Sequence, residues 1–163
     1  MAYVKILPIE IENCQLRCYD SHGKWAPCLQ LKNWSNVKQM SFTDRASDRL
    51  SLLTTLMRNH LAPLWRLMQK ETGIPRITLW ENTVIYLQWL YEIRMREQLS
   101  AEQRMRAEED YHAVVFQAPA ECFGERIQPF ARLLTNRNGR KTCCQFYRTC
   151  NGESYCQDCP HHR

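Results

Sequence analysis

The sequence predicts an α+β fold with a short strand-rich N-terminal region over residues 1–42, a mostly helical core over residues 43–134 and an irregular tail over residues 135–163. Three observations lead there. Before residue 42, apolar and polar residues alternate in short runs, the period of a half-buried strand. Beyond it, apolar residues recur at spacings of three and four, which places them on one helical face. After Gly139 no apolar periodicity survives, and cysteines accumulate instead. A chain of 163 residues is near the usual size of one domain, so the three stretches are read as a single domain, 1–163.

Ile9-Glu10-Ile11-Glu12 and Cys28-Leu29-Gln30-Leu31 alternate and read as strand, with Asp20-Ser21-His22-Gly23 as the intervening turn signal. Ser41 followed by Asp44 is a helix-start pattern. Leu50, Leu53, Met57, Leu61, Leu64 and Met68 then define one face. Pro63 either kinks this helix or begins a second one, because proline costs about 3 kcal/mol in a helix interior and is tolerated in the first turn. Gly73 supplies the stop. A further helix is expected from about Pro75 to Gln98, burying Leu79, Val84, Leu87 and Tyr91. Ser100 with Gln103 forms a capping box that opens a helix carrying Met105, Tyr111 and Val115, ended by Pro119. Residues 117–129 read as loop, Pro129–Leu134 as a short helix and Asn136-Arg137-Asn138-Gly139 as a turn. Trp65, Trp80 and Trp89 are assigned to the helical core.

Nine cysteines, six of them in the last 42 residues, ask for a chemical explanation. A disulfide framework suits short secreted chains with a signal peptide. The start, Met1-Ala2-Tyr3-Val4-Lys5-Ile6-Leu7-Pro8, has neither the apolar core nor the small-residue cleavage site of one. No stretch reaches the roughly 18 apolar residues of a membrane span. The chain therefore reads as soluble and cytoplasmic, where clustered cysteines are metal ligands or redox groups rather than crosslinks.

The tail runs Cys143-Cys144, eleven further residues, then Cys156-Gln157-Asp158-Cys159-Pro160. Two sulfurs three positions apart can face one metal from a tight turn, in zinc and in iron–sulfur sites alike. Adjacent cysteines diverge along extended backbone and suit a single small ion less well. A bent pair could serve a larger two-iron target, which favours iron–sulfur over structural zinc without excluding the latter. Cys14, Cys18, Cys28 and Cys122 are read as small buried hydrophobes. His161 and His162 lack the spacing of a Rieske-type centre. His60 is read as a packed or exposed histidine.

Formal net charge is +5, and basic residues are scattered among acids with no block of like charges, so nucleic acid is not an expected partner. No catalytic triad order, phosphate-cradling glycine loop or flavin or nicotinamide fingerprint is present, so electrons for any redox chemistry must come from a separate partner.

The Cys-Cys pair, its spacer and the closing Cys-x-x-Cys-Pro resemble the FhuF-like ferric-siderophore reductases. His60-Leu61-Ala62-Pro63-Leu64, Thr72-Gly73-Ile74-Pro75, Leu79-Trp80-Glu81-Asn82 and Pro129-Phe130 are similar to the family's helical region, and the likeness runs from about Leu50 to Arg163. The resemblance implies a [2Fe-2S] cluster bound by Cys143, Cys144, Cys156 and Cys159. It also implies ferric siderophore as substrate and a ferredoxin, flavodoxin or flavin reductase as donor. A cytoplasmic place follows, with a peripheral position at the inner membrane face as an option; the oligomeric state is left open. The spacer is one residue longer than the family's usual form, and Cys150 lies inside it. Reduction adds a negative charge to an already anionic cluster, so Arg140, Lys141 and Arg148 are expected to stabilise the reduced state. Two other classes fit the same cysteines: a zinc-stabilised, non-enzymatic binding module, and an iron–sulfur sensor or carrier without siderophore reduction.

Overall fold

A computed structural model describes residues 5–7, 9–21, 24–35, 37–39, 44–95, 99–134, 139–150, 152 and 154–161. Among these residues four strands lie in the N-terminal region: β1 (Lys5–Ile6), β2 (Cys14–Ser21), β3 (Lys24–Leu31) and β4 (Lys38–Gln39). β2 and β3 form an antiparallel hairpin whose register runs from Cys14↔Leu31 to Ser21↔Lys24, and β1 pairs with β4. The strand expected at Ile9–Glu12 is absent, and Ile11–Asn13 is instead a 3-10 turn that leads into β2. The expected turn at Asp20–Gly23 is overtaken in its first half by β2, while residues 22 and 23 lie outside the described residues.

Burial of the N-terminal cysteines is not observed. Cys18 and Cys28 are exposed and Cys14 is half-buried, because a two-stranded ribbon leaves both faces open, as Leu16 and Leu29 also show. Cys122 alone of these four is buried, as expected.

The helical part comprises α1 (Arg45–Thr54), α2 (Ala62–Thr72), α3 (Arg76–Trp89), α4 (Ala101–His112) and α5 (Pro129–Leu134). The candidate start at Ser41 lies outside the described residues up to 43; Asp44 directly precedes α1. A π-helical stretch, Thr55–Leu61, joins α1 to α2, and Pro63 sits in the first turn of α2, the second of the two roles expected of it. The wider i→i+5 winding rotates the buried stripe. Leu53 and Met57 are buried as the spacing predicts, whereas Leu50 and Leu64 are exposed and Ala62 takes the core position.

Gly73 ends α2 with φ +74°, the left-handed cap that glycine adopts without a Cβ penalty. α3 starts after Pro75 and passes into a second π stretch, Leu90–Arg94; residues 96–98 lie outside the described residues. It buries Thr78, Leu79, Trp80, Glu81 and Val84, while Trp89, expected in the core, is 46% exposed. The capping box forms as predicted: Ser100 N donates to Gln103 Oε1 at 2.9 Å and Gln103 N to Ser100 Oγ. α4 continues as a π stretch, Ala113–Gln117, with Val115 fully buried and Met105 exposed.

The stretch 117–129 is not plain loop. Ala120–Phe123 is a 3-10 turn that drives Cys122 and Phe123 into the core. There Trp80 meets Trp65, Phe123 and Phe130 edge-to-face at 6.3, 5.8 and 6.0 Å, the geometry that aromatic quadrupoles favour. Arg45 and Arg49 on α1 both pair with Asp110 on α4. Asp110→Asn should therefore lower stability by about 2 kcal/mol, because it removes charge-assisted bonds from two partly buried guanidiniums; a urea midpoint shift with unchanged slope checks this.

Candidate metal centre

The tail is fastened to the helical core by one carboxylate. Glu81, on the second turn of α3, is 2% exposed. It accepts from Lys141 N at 2.6 Å, from Thr142 N at 2.8 Å and from the Thr142 hydroxyl. Arg140 lies 3.8 Å from the same carboxylate, donates to Asn82 Oδ1 and is itself nearly buried. Its backbone N–H reaches Asp158 O at 3.4 Å, tying the start of the tail to its end. A buried carboxylate persists only where donors satisfy it, so three consecutive residues, Arg140 to Thr142, are held in one place. The expected turn at 136–139 lies outside the described residues up to 138.

The thiols come next. Gln145 adopts φ +61°, the left-handed region rarely visited by a residue with a Cβ, and its N–H donates to Cys143 Sγ at 3.3 Å. This bend follows directly on the adjacent pair and turns the backbone N–H of Gln145 back onto the first of its sulfurs. Phe146–Cys150 follows as a 3-10 turn; the side chain of Cys150 lies outside the described residues. Tyr147 and Tyr155 stack at 5.7 Å across the spacer, with His161 edge-on to Tyr147. The spacer's ends are thereby drawn together, and Cys144 Sγ lies 3.4 Å from Cys156 Sγ. Cys159 N donates to Cys156 O at 3.1 Å, the short turn that the two-residue spacing implies, and Cys159 is buried.

Burial pushes the Cys156 thiol up to about 11, and its neighbours Cys144 and Cys159 add to the rise. Crowded thiols resist ionisation unless a cation takes the place of their protons. Two sulfurs on one tetrahedral metal about 2.3 Å away lie about 3.7 Å apart, so the Cys144–Cys156 pair needs only a small opening to share a metal. Among the described residues no three His, Cys, Asp or Glu side chains converge on one ion position. A single-ion four-thiolate cage is therefore not preformed, whereas a two-metal cluster, with two thiolates at each centre, asks for less convergence.

Of the three expected supporting cations, Arg140 is matched by Glu81 and Asn82 and serves to anchor the tail. Lys141 directs its ammonium to Arg132 O, and Arg148 lies beside the Tyr147 ring, 6.0 Å from its centre. Glu81 was not singled out from sequence as a site residue. The available signal was an acidic residue in an otherwise buried stretch, Thr78–Val84, which requires a buried partner. His60 contacts Ile9 O through Nδ1, away from the cysteines in sequence and in its contacts; His162 lies outside the described residues.

A helical scaffold that clamps a short segment in which thiols crowd together is the build of a small iron–sulfur protein. Residues 20–141 match the family model described as ferric iron reductase FhuF-like transporter, and residues 140–161 match the FhuF 2Fe-2S C-terminal domain. The first match alone covers about three quarters of the chain, and the protein belongs to this FhuF-like family. Its cofactor is a [2Fe-2S] cluster, which sets the zinc alternative aside. The match begins at residue 20 rather than near Leu50, so it takes in β3 and the last two residues of β2 as well. No curated protein and no solved structure matches the chain. No helix among the described residues is long and apolar enough to cross a membrane.

Proposed function

We propose that Cys143, Cys144, Cys156 and Cys159 hold the cluster and that the protein reduces ferric siderophore, releasing its iron as Fe(II). The observation that carries this reading is the crowding of Cys144, Cys156 and Cys159 at the end of a segment fixed by Glu81, within the part of the chain that matches the 2Fe-2S domain. When bound, the cluster supplies a single electron, the change that a ferric ion needs. Ferric iron is a hard cation held tightly by siderophore oxygens, and ferrous iron is held far less well, so one electron is enough to loosen the metal.

The chain's own residues set the conditions. The Gln145 N–H bonded to Cys143 Sγ favours extra negative charge at that sulfur. Lys141 and Arg148 flank the Cys143-Cys144 pair along the chain, and positive charge near the thiols favours the reduced state and attracts anions. The electron comes from a ferredoxin, flavodoxin or flavin reductase in the cytoplasm, at or near the inner membrane face.

Anaerobically purified protein should be red-brown, hold about two irons per chain and bleach on addition of dithionite. The reduced protein should then be reoxidised by ferric siderophore while a ferrous chelator captures the released iron. A coloured protein whose reduced form ignores ferric siderophore would be a sensor or carrier instead.

A further inference from the structure

Charge is divided unevenly along the chain. Residues 126–163 hold seven of the 22 lysines and arginines and two of the 17 acidic residues, a net +5, while the 125 residues before them hold fifteen of each and are neutral. The whole formal charge therefore belongs to the cysteine segment and to the short stretch, with α5, that leads into it.

Much of that charge faces solvent. Arg126, Arg132, Lys141 and Arg148 are exposed, and among the described residues no carboxylate lies within ion-pair distance of Arg126, Arg132 or Arg148. Arg126 and Arg132 line one cleft, and the Arg132 carbonyl accepts from Lys141 Nζ. Lys141 precedes Cys143 by two residues, a span of at most about 7 Å. Arg148 lies on the 3-10 turn Phe146–Cys150, beside the Tyr147 ring.

Apolar surface is exposed in the same segment. Phe146 is 47% and Tyr155 41% exposed. Phe146 stands two residues after Cys144 and Tyr155 directly before Cys156, and the Tyr147–Tyr155 stack holds the two stretches against each other. A protein lying over these rings comes up to the thiols, of which Cys143, Cys144 and Cys156 are only half-buried. Exposed aromatic rings accompanied by cations of one sign suit a transient protein interface steered by charge.

Resting on the reductase reading, we propose that this face docks the electron donor, and that the donor is a one-electron carrier protein with an acidic docking surface. Arg126, Arg132, Lys141 and Arg148 orient it, and Phe146 and Tyr155 give the apolar contact. One electron leaves the carrier, which is oxidised by one, and enters the cluster, which is reduced by one; no bond or proton is exchanged. With the other 125 residues neutral overall, the charge that steers the encounter directs it to the cysteine end.

Oxidised flavodoxin and oxidised plant-type ferredoxin, both acidic and neither able to pass an electron to an oxidised cluster, test docking apart from redox activity. Titrated calorimetrically into cluster-loaded protein, at least one should bind, with affinity falling about tenfold or more between about 50 mM and about 500 mM salt. Arg132→Glu and Arg148→Glu should each weaken binding by about tenfold at low salt, with the visible spectrum intact, and the loss should shrink at high salt. Arg17→Glu, on the exposed strand β2, alters net charge equally and should change affinity by less than about twofold. In stopped flow, the rate at which the reduced carrier bleaches the protein should rank the variants in the same order. Absence of binding by both carriers, affinity indifferent to salt, a loss in Arg132→Glu and Arg148→Glu no greater than in Arg17→Glu, or docking without bleaching overturns the proposal. If a carrier docks and bleaches the protein in this way but ferric siderophore does not reoxidise it, the docking face stands and the reductase reading falls.

Discussion

Cys156→Ser is expected to give a folded but colourless protein, with iron falling from about two per chain to near zero. Cys156 is the hub of the thiol group. It is 3.4 Å from Cys144, it raises no disulfide, and burial with its two sulfur neighbours holds it as a thiol up to about pH 11. A serine hydroxyl ionises far less readily than a thiol and is a poor ligand for soft iron–sulfur centres, so one substitution removes a corner of the site. Cys28→Ser is the matched control: Cys28 is exposed on the hairpin, opposite Arg17 in the β2–β3 register, and its replacement should leave iron content and colour unchanged. Iron and sulfide analysis with a visible spectrum reads both. Retained colour in Cys156→Ser together with loss in Cys28→Ser would move the centre away from the tail.

Glu81→Ala is expected to have the second large effect, on stability and on the cofactor at once. The substitution strips the partner from two backbone N–H groups and a hydroxyl and leaves Arg140, nearly buried, without its carboxylate. At about 1–3 kcal/mol for each buried donor left unsatisfied, partly relieved as the segment swings out to water, a net loss of roughly 3 kcal/mol follows. Because the fastened residues directly precede Cys143, iron loading should fall and the tail should become cleavable by protease under conditions where α1 to α4 resist. Glu81→Gln keeps the volume but sets an amide NH₂ against a donor, so its loss should be intermediate. An Ala variant with wild-type iron content and an uncut tail would show that the thiols organise themselves without the clamp.

Much of this was legible in the residues. The capping box at Ser100 and the stop at Gly73 are local signals, set by a few neighbouring atoms, and both appear as read. The short turn that brings Cys159 N onto Cys156 O was legible because a two-residue spacing is itself local. What was not legible depended on winding or on contact across the chain. A helical wheel assumes constant pitch, so the π stretch at Thr55–Leu61 displaced Leu64 from the core in favour of Ala62. Burial of Cys18 and Cys28 could not be judged without knowing whether anything covers the hairpin. Glu81 and Thr142 lie sixty-one residues apart, and nothing in either local sequence names the other. Arg66, Arg76, Arg126 and Arg132 likewise line one cleft from separate segments, so no run of positive charge in the sequence announces it.

The stacked rings of Tyr147 and Tyr155 have a bearing on how long the protein serves. A cofactor close to the surface is lost to oxygen on a shorter timescale than the polypeptide decays. In a floppy tail each loss would scatter the thiols, and refilling would require the loop-closure entropy to be overcome again. Here the ring stack draws the two ends of the spacer together, and the Glu81 clamp fixes the residues that lead into it. The entropy of regathering the thiols is thereby met by contacts of the chain itself rather than by the metal.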